Sequence, residues 1–276
     1  MKVRKHKTGV AQIRSEITIA LIYIKTNLAA AAELRVSFVM QVIGMMLNNT
    51  TFVLIWVLFF QAFGSINGWD SLGVLALQGI VALIFGVTYS FFSGVSDLPQ
   101  AINNGVFDSV LLTPRNIYVR VLTLTTRPSA VGDILYGVLC LVLYAILAHL
   151  SFLQIVLLIF VVIPASIILT NFALIAGCVG FLIPDADELI KNLVELLLGP
   201  SMYPSGIYQG WIRFFFLFII PAISIAGLPV EAVKEVSIVS IVFVWVLALF
   251  WTGLAVVVLR FGMKHYESGN LTGARV

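Results

Sequence analysis

The sequence predicts an all-α integral membrane protein with six transmembrane helices. Of its 276 residues, 61% are hydrophobic and 11% are charged, whereas soluble domains carry about 25% charged residues. Long apolar stretches separate the charges, and the stretch 134–184 contains no Lys, Arg, Asp or Glu. Because a helix needs about 20 apolar residues to cross a bilayer, these stretches are long enough to span it. The composition excludes a soluble globular fold, and two cysteines are too few for a disulfide scaffold.

The N-terminal tail, residues 1–35, is basic and carries apolar residues at helical spacing. The residues that share this spacing are Ile13, Ile17, Leu21, Ile24 and Leu28. The pattern predicts an amphipathic helix that lies on the cytoplasmic membrane surface. A frayed helix without a partner is the alternative. No short apolar core with a cleavage site precedes Val36, so a secretory signal peptide is not expected.

Six apolar stretches are assigned as spans, and basic residues orient them. The spans are residues 36–60, 72–94, 130–149, 153–181, 188–204 and 236–259. Fourteen of the 16 Lys and Arg residues lie on one side of this arrangement, and the other two are Arg213 and Lys234. Since basic residues concentrate on the cytoplasmic side, both termini are predicted to be cytoplasmic. This placement accounts for the net charge of +3, so no nucleic-acid partner is expected.

The sequence contains no recognisable catalytic or metal-binding motif. A GxxxxGK[ST] phosphate loop, HExxH, CxxC and a close histidine pair are all absent. The cluster that most resembles such a motif consists of the acidic residues Asp185, Asp187 and Glu188. We interpret them as acidic residues in the first turn of the fifth span, where they favour the helix N-terminus. The alternative is that the carboxylates of Asp185 and Glu188, which are three positions apart on a helix, bind one cation together. We therefore expect no catalytic residue, no metal and no cofactor bound by this chain.

Ionisable residues deep in a bilayer are costly and usually functional, and the predicted spans carry none at mid-depth. Asp133 lies at the cytoplasmic mouth of the third span, where snorkelling or a salt bridge is favoured over proton relay. This distribution argues against an ion-coupled secondary transporter. It favours a permease whose energy source lies in another chain.

The loop between spans two and three has the pattern of a short amphipathic helix. Ile102, Val106 and Val110 recur at helical spacing with Leu111 beside them, and Pro114 ends the pattern. Such a helix would dock in a groove of a soluble partner through its apolar residues. An ordinary interfacial loop is the alternative.

Two sequence elements resemble the signature regions of ABC-2 type transporter permeases, in particular a bacterial subfamily with six spans. The first element is Gly105-Val-Phe-Asp108 with Leu111-Leu112 and Pro114. The second is Tyr203-Pro204-Ser-Gly-Ile-Tyr208-Gln-Gly-Trp211-Ile-Arg213 with Ile220-Pro221 and Leu228-Pro229. They occur in the expected order and topological positions, and the resemblance covers nearly the whole chain.

The resemblance implies a permease subunit of the bacterial inner membrane without its own nucleotide-binding domain. It would pair as a homodimer or with a sister permease, and would bind two copies of a separate ABC ATPase that uses ATP and Mg²⁺. The tail 1–35 would contain the connecting helix, residues 36–260 the transmembrane domain, and residues 261–276 a cytoplasmic tail. Segment 97–114 would couple the permease to the ATPase. Its implied coupling residues are Asp97, Ile102, Gly105, Phe107, Asp108, Leu111, Leu112 and Pro114.

The region 205–230 is predicted to be a re-entrant helical pair in the outer leaflet. Residues 211–225 begin on the outside and must end there, because the last span has to cross inward. Such a segment is tolerated only where it packs against protein. The break falls at Pro221, and Arg213 is expected at the outer headgroup level. The other residues of this outer belt are Tyr203, Pro204, Tyr208 and Trp211.

Uncharged polar residues inside the spans are candidates for lining a translocation pathway. Gln41 and Asn48 are seven positions apart on one face of span one with Asn49 adjoining, and Thr170 and Asn171 lie in span four. Helix–helix hydrogen bonding is the alternative role for all five. A pathway lined by amides, hydroxyls and aromatic rings would suit an amphipathic or lipid-like substrate.

Two classes of function remain open at the level of sequence. The first is the permease of an ATP-driven exporter of a hydrophobic drug, natural product or lipid-linked compound. The second is a non-transport membrane protein, either a membrane enzyme or the anchoring subunit of a complex. A cluster of acids or histidines at one membrane face would favour the enzyme, and the sequence shows none.

Overall fold

The computed structural model describes residues 18, 21, 22, 24–26, 35–113 and 116–266. In chain order its helices are α1 (Arg35–Phe63), α2 (Ser71–Phe92), α3 (Gly94–Asn103), α4 (Val106–Leu111), α5 (Ile117–Leu122), α6 (Val131–Leu147), α7 (Phe152–Gly177), α8 (Asp187–Ser201), α9 (Gly210–Phe214), α10 (Leu228–Lys234) and α11 (Ile238–Lys264). Within the described ranges the chain forms no strand, so the all-α prediction is confirmed there. The predicted N-terminal amphipathic helix lies largely outside the described residues and stays a prediction.

Polar residues mark where the long helices begin. The Asp70 side chain accepts a hydrogen bond from the Gly73 N–H at 2.8 Å and caps α2. Ser151 and Gln154 form a reciprocal capping box at the start of α7, and Ser237 caps α11. These side chains satisfy backbone N–H groups that have no partner inside the helix.

In the part of the chain that the structure describes, five helical stretches are long and apolar enough to cross a membrane. They are Val36–Phe63, Ser71–Asn103, Pro128–Leu147, Phe152–Phe181 and Ile238–Lys264. They match five of the six predicted spans, and the chain is a multi-pass membrane protein.

The predicted fifth span, residues 188–204, corresponds to α8. This helix has 15 residues, or about 22 Å at 1.5 Å per residue, against a hydrocarbon core of about 30 Å. It also carries four charged residues. A sixth crossing at this position therefore stays a prediction.

The predicted re-entrant region is a bent pair of short helical segments. Gly210–Ile219 and Ile223–Lys234 meet at 78°, and the buried Pro221 lies in the break between them. The first segment ends and the second begins in π-helical turns. A bend of this size fits either a broken span or a re-entrant loop, so the re-entrant assignment also stays a prediction.

Glycines allow the helices of the bundle to pack with their backbones in contact. A Cβ on Gly86 would lie 2.6 Å from the Ile134 nitrogen, and a Cβ on Gly137 would lie 2.6 Å from the Leu83 nitrogen, so α2 and α6 touch directly. α7 packs against α2 on one side and against α11 on the other. α1 packs against α2 and α6, and its most apolar window has no buried residue. α1 therefore forms an open edge of the bundle.

One end of the bundle is built from α3, α4 and α5, and is called here the connector end. A Cβ on Gly177 would lie 2.2 Å from the Val95 carbonyl oxygen, so the end of α7 rests on the backbone of α3. A Cβ on Gly94 would lie 2.1 Å from the Val121 carbonyl oxygen, so the start of α3 rests in the same way on the backbone of α5. The connector end is thus packed backbone against backbone with the spans.

Candidate functional site

An open groove runs along the subunit between α1 and α8, with α2 beneath it. Its wide part is a cavity of about 710 Å³, lined by Phe52, Ile55, Trp56, Phe59, Glu195, Leu198, Gly199, Met202 and Tyr203. A cavity of about 130 Å³ shares Phe52, Leu198 and Met202 with it. A third cavity, of about 260 Å³ at the connector end, also contains Leu198. We call these three adjoining cavities, which share lining residues, the lateral groove.

The charge of the lateral groove changes along its length. At the connector end it is lined by Asp97, Arg127, Asp187, Lys191 and Glu195. In the wide part, aromatic and aliphatic side chains dominate. An apolar cavity of 300–1,000 Å³ with few polar groups is typical of sites that bind drug-sized molecules.

Asp133 lies in the first turn of α6 and is buried within the bundle. Its side chain is 2% exposed, and its Oδ1 accepts a hydrogen bond from Asn49 Nδ2 at 2.5 Å. Tyr136 donates to the Asn49 carbonyl oxygen at 3.1 Å and holds that residue in place. The predicted snorkelling or salt-bridging role of Asp133 is therefore wrong. The nearby Arg127 pairs with Asp97 instead, at 2.6 Å.

Two of the predicted pathway residues of α1 face the groove. Asn48 and Asn49 line the cavity of about 130 Å³ together with Asp133, Gln78 and Tyr136. Gln78, which the sequence analysis missed, donates to the Met202 carbonyl oxygen at 2.9 Å and holds the end of α8 over α2. Gln41 lies further along α1, where it donates to Ser37 Oγ at 3.2 Å on an exposed surface.

Thr170 and Asn171 lie away from the groove and bond neighbouring helices. Thr170 is 5% exposed and its hydroxyl lies 3.0 Å from that of Thr88 on α2. Asn171 accepts from the Tyr118 hydroxyl at 2.7 Å and donates to Thr252 at 3.1 Å. Burial raises the pKa of Tyr118, which keeps its hydroxyl protonated as the donor. This geometry matches the helix–helix alternative for both residues.

Asp97 fastens α3 to the chain just before α6. Its two oxygens accept hydrogen bonds from Arg127 at 2.6 Å and from Thr125 at 2.5 Å. The Arg127 guanidinium also lies 5.3 Å from the centre of the Tyr89 ring on α2. Both contacts join residues that are far apart in sequence, so spacing alone did not reveal them.

The predicted amphipathic helix of the coupling segment is divided in two. Gly105 adopts φ 71°, a left-handed conformation that suits glycine, and separates α3 from α4. Ile102 therefore lies on α3 and is partly buried, while Val110 on α4 is completely buried. The expectation that Ile102, Val106 and Val110 form one exposed docking face is not met in the described structure. Pro114 lies outside the described residues.

α4 has a buried side and an exposed side. Phe107 is fully buried and packs edge-on against Phe181 and Tyr266, with ring centres 5.2 and 5.0 Å away. The Tyr266 hydroxyl donates to Asp108 Oδ1 at 2.8 Å, so the end of α11 is bonded to α4. Three apolar side chains are exposed, which we call the α4 patch: Val106 at 46%, Leu111 at 40% and Leu112 at 84%.

At the opposite end, a polar network holds the bent helical pair. Arg213 forms an ion pair with Glu231 at 3.4 Å and Ser205 donates a hydrogen bond to the same carboxylate. The sequence predicts aromatic neighbours for Arg213 but gives no sign of its pairing with Glu231, which comes 18 positions later.

The aromatic residues of this end differ in their exposure. Trp211 is 85% exposed, while Tyr203 contacts Trp56 of α1 with ring centres 5.6 Å apart. Tyr208 follows the short turn that Pro204 begins and donates to the Pro200 carbonyl oxygen at 2.9 Å. Burial raises the pKa of Tyr208 to about 12. Of these three residues, Tyr203 lines the wide part of the groove.

Comparison with known proteins identifies one matching family. A family model described as "ABC-2 family transporter protein" matches residues 46–270, which is most of the chain and includes the lateral groove and the connector end. No curated protein and no solved structure matches the chain.

Proposed function

Given that the chain belongs to the ABC-2 transporter family, and so is a membrane permease that works with an ABC ATPase, we propose that it exports a hydrophobic or amphipathic compound. The lateral groove is the observation that carries this proposal, because it connects a charged connector end to an aromatic cavity of about 710 Å³. The ATPase is a separate subunit that binds ATP and Mg²⁺, and two copies act on each transporter.

A second permease covers the open edge of α1 in this proposal. The supporting observation is that α1 exposes apolar side chains along its length although it borders the groove. Another copy of this chain or a sister subunit would bury these side chains and enclose the groove. The protein lies in the bacterial inner membrane in this proposal, and both of its termini are on the cytoplasmic side.

ATP-driven motion enters through the α4 patch. Phe107 is buried in the chain's own core and holds α4 against the bundle. The exposed Leu112 is the side chain that contacts the ATPase. Displacement of α4 and α3 then reaches α6 through the Asp97–Arg127 pair and reaches α7 through the contact between Val95 and Gly177.

A charge placed in the α4 patch tests this proposal. We expect Leu112→Asp to abolish co-purification of the ABC ATPase and to remove permease-dependent ATPase activity, because a carboxylate would disrupt an apolar contact. Val236→Asp is the matched control, since it introduces the same charge at an exposed residue of the opposite end with a positive φ that Asp tolerates better than Val. Stoichiometric co-purification and unchanged ATPase activity of Leu112→Asp would contradict the proposal.

A further inference from the structure

The cavity of about 130 Å³ around Asp133 contains an acidic group with an unused acceptor. Asp133 is 2% exposed, its Oδ1 is bonded to Asn49, and its Oδ2 has no hydrogen-bond partner among the residues that the structure describes. We call this cavity the Asp133 chamber. Asp133 lies in the first turn of α6, and a carboxylate that is buried there without a partner is costly. A ligand that binds reversibly is the simplest reason to keep it.

No cation of the described chain reaches this carboxylate. The residues that line the chamber include no Lys, Arg or His. The two described ion pairs occupy Arg127 with Asp97 and Arg213 with Glu231. Within the described residues Asp133 thus lacks a complementary charge, and a bound cation would supply it.

The walls of the chamber indicate an organic cation. They include the rings of Phe52, Phe85 and Tyr136 and the thioether of Met45. Aromatic rings around a single carboxylate stabilise an ammonium group through cation–π attraction and charge pairing. A Ca²⁺ ion, in contrast, takes six to eight oxygen ligands, and the chamber volume is far larger than one metal ion needs.

We propose that the Asp133 chamber binds the ammonium group of a cationic amphipathic substrate, with Asp133 as its counter-ion. The apolar part of that substrate lies in the adjoining cavity of about 710 Å³, which shares Phe52, Leu198 and Met202 with the chamber. This inference rests on the proposed export function and specifies its substrate class. Asn49 acts as a positioning residue, because it holds Oδ1 and leaves Oδ2 without a partner among the described residues. Oδ2 is enclosed by the surrounding side chains, so these side chains shift when the ammonium group binds.

Binding of a small amine and its neutral analogue tests the inference. The probes are benzylammonium and benzyl alcohol, which have similar size and an aromatic ring but differ in charge at pH 7. Binding to the full chain in nanodiscs of zwitterionic lipid is measured by ligand-observed NMR, with saturation as the criterion for a site. We expect benzylammonium to bind at least tenfold more tightly than benzyl alcohol.

Two variants test whether the preference for benzylammonium over benzyl alcohol depends on Asp133. Asp133→Asn keeps the shape of the side chain and an acceptor for Asn49, and we expect it to bind both probes equally. Glu235→Gln removes a negative charge from an exposed surface residue and should retain the tenfold preference. If Asp133→Asn retains the preference, the inference is wrong.

The wild-type chain alone also provides a decisive result, so the inference does not depend on the folding of a variant. Equal binding of the two probes would show that Asp133 is protonated or inaccessible and would overturn the inference. Displacement of benzylammonium by millimolar Na⁺, but not by the same concentration of N-methyl-D-glucamine chloride, would identify a metal-ion site and would also overturn it. Since no ATPase takes part, a failure of ATPase coupling leaves these outcomes unaffected.

Discussion

Gly177 shows how much a single missing side chain matters in this bundle. The end of α7 lies against the Val95 carbonyl oxygen, at a distance that leaves no space for a Cβ atom. Any larger residue at this position must push α7 away from α3. A residue of the smallest size is therefore needed where the spans meet the connector end.

We expect Gly177→Ala to destabilise the protein, by about 1–3 kcal/mol if the cost is that of ordinary overpacking. The measurement is the thermal unfolding midpoint in detergent, followed by tryptophan fluorescence. Gly253→Ala is the matched control, because Gly253 also lies within a long helix but has no atom within 4 Å of the position of a new Cβ. Equal midpoints for the two variants would contradict the packing described here.

At the residue scale, sequence identified polar residues but not their partners. Asn49 was singled out as an unusual amide in a span, yet its partner Asp133 is 84 positions away. The sequence favours snorkelling or a salt bridge for Asp133, whereas the fold buries it and pairs the nearby Arg127 with Asp97, 30 positions before that arginine. Partner choice depends on which helices become neighbours, and residue spacing does not contain that information.

At the scale of elements, α4 combines a buried side and an exposed side within six residues. The aromatic contacts of Phe107 with Phe181 and Tyr266 join α4 to the end of α7 and to the end of α11. Leu112, just beyond the helix, is exposed. The two residues should therefore respond differently to truncation.

We expect Phe107→Ala to cost about 3–5 kcal/mol, as truncation of a buried aromatic residue generally does. Leu112→Ala should leave the free energy of unfolding unchanged within about 0.5 kcal/mol, because it removes an exposed side chain. Urea unfolding of the purified permease measures both values. A large loss of stability for Leu112→Ala would show that the α4 patch is part of the core and not a docking surface.

Sequence periodicity predicts helix in the segment proposed for coupling, but it does not predict the break within that helix. Ile102, Val106 and Val110 have the spacing of one helix, and the left-handed Gly105 interrupts that helix. A period of three or four residues shows only that parts of a segment are helical. The same spacing of apolar residues in the sequence arises when two short helices are joined by a turn. The positive φ of Gly105 is a property of the backbone, and glycine permits it without requiring it.

At the scale of the whole molecule, chemical labelling can establish the orientation of the chain. Both native cysteines are buried, Cys140 at 3% and Cys178 at 4% exposure, so labelling of the unmodified protein should be weak. A new cysteine at an exposed position will therefore stand out against a low background.

We expect Trp211→Cys to react with a membrane-impermeant maleimide in intact cells, and Leu112→Cys to react only in inside-out vesicles. The physical reason is that the two residues lie at opposite ends of the bundle and are each highly exposed. Gel-shift detection of the label gives the result directly. The reverse pattern would overturn the proposed topology with both termini in the cytoplasm.

Composition predicted the membrane-spanning part of the fold well, because the cost of exposing polar groups to lipid is local and additive along a helix. Five of the six predicted spans are apolar helices of sufficient length. The lateral groove was not predictable in this way. It depends on α1 and α8 lying side by side, and these helices are more than 120 residues apart in the sequence.

The Asn49–Asp133 hydrogen bond also has a consequence for the angular position of α1. The apolar side chains of α1 are distributed around the whole helix. Contact with lipid therefore gives this helix no preferred rotation about its long axis. A single polar contact can fix the alignment of one helix on another, and Asn49 makes such a contact with α6. The carboxylate that fixes this rotation is the one proposed to hold an ammonium group. In the proposed site, an ammonium group that weakens the Asn49–Asp133 bond on binding would also free the rotation of α1.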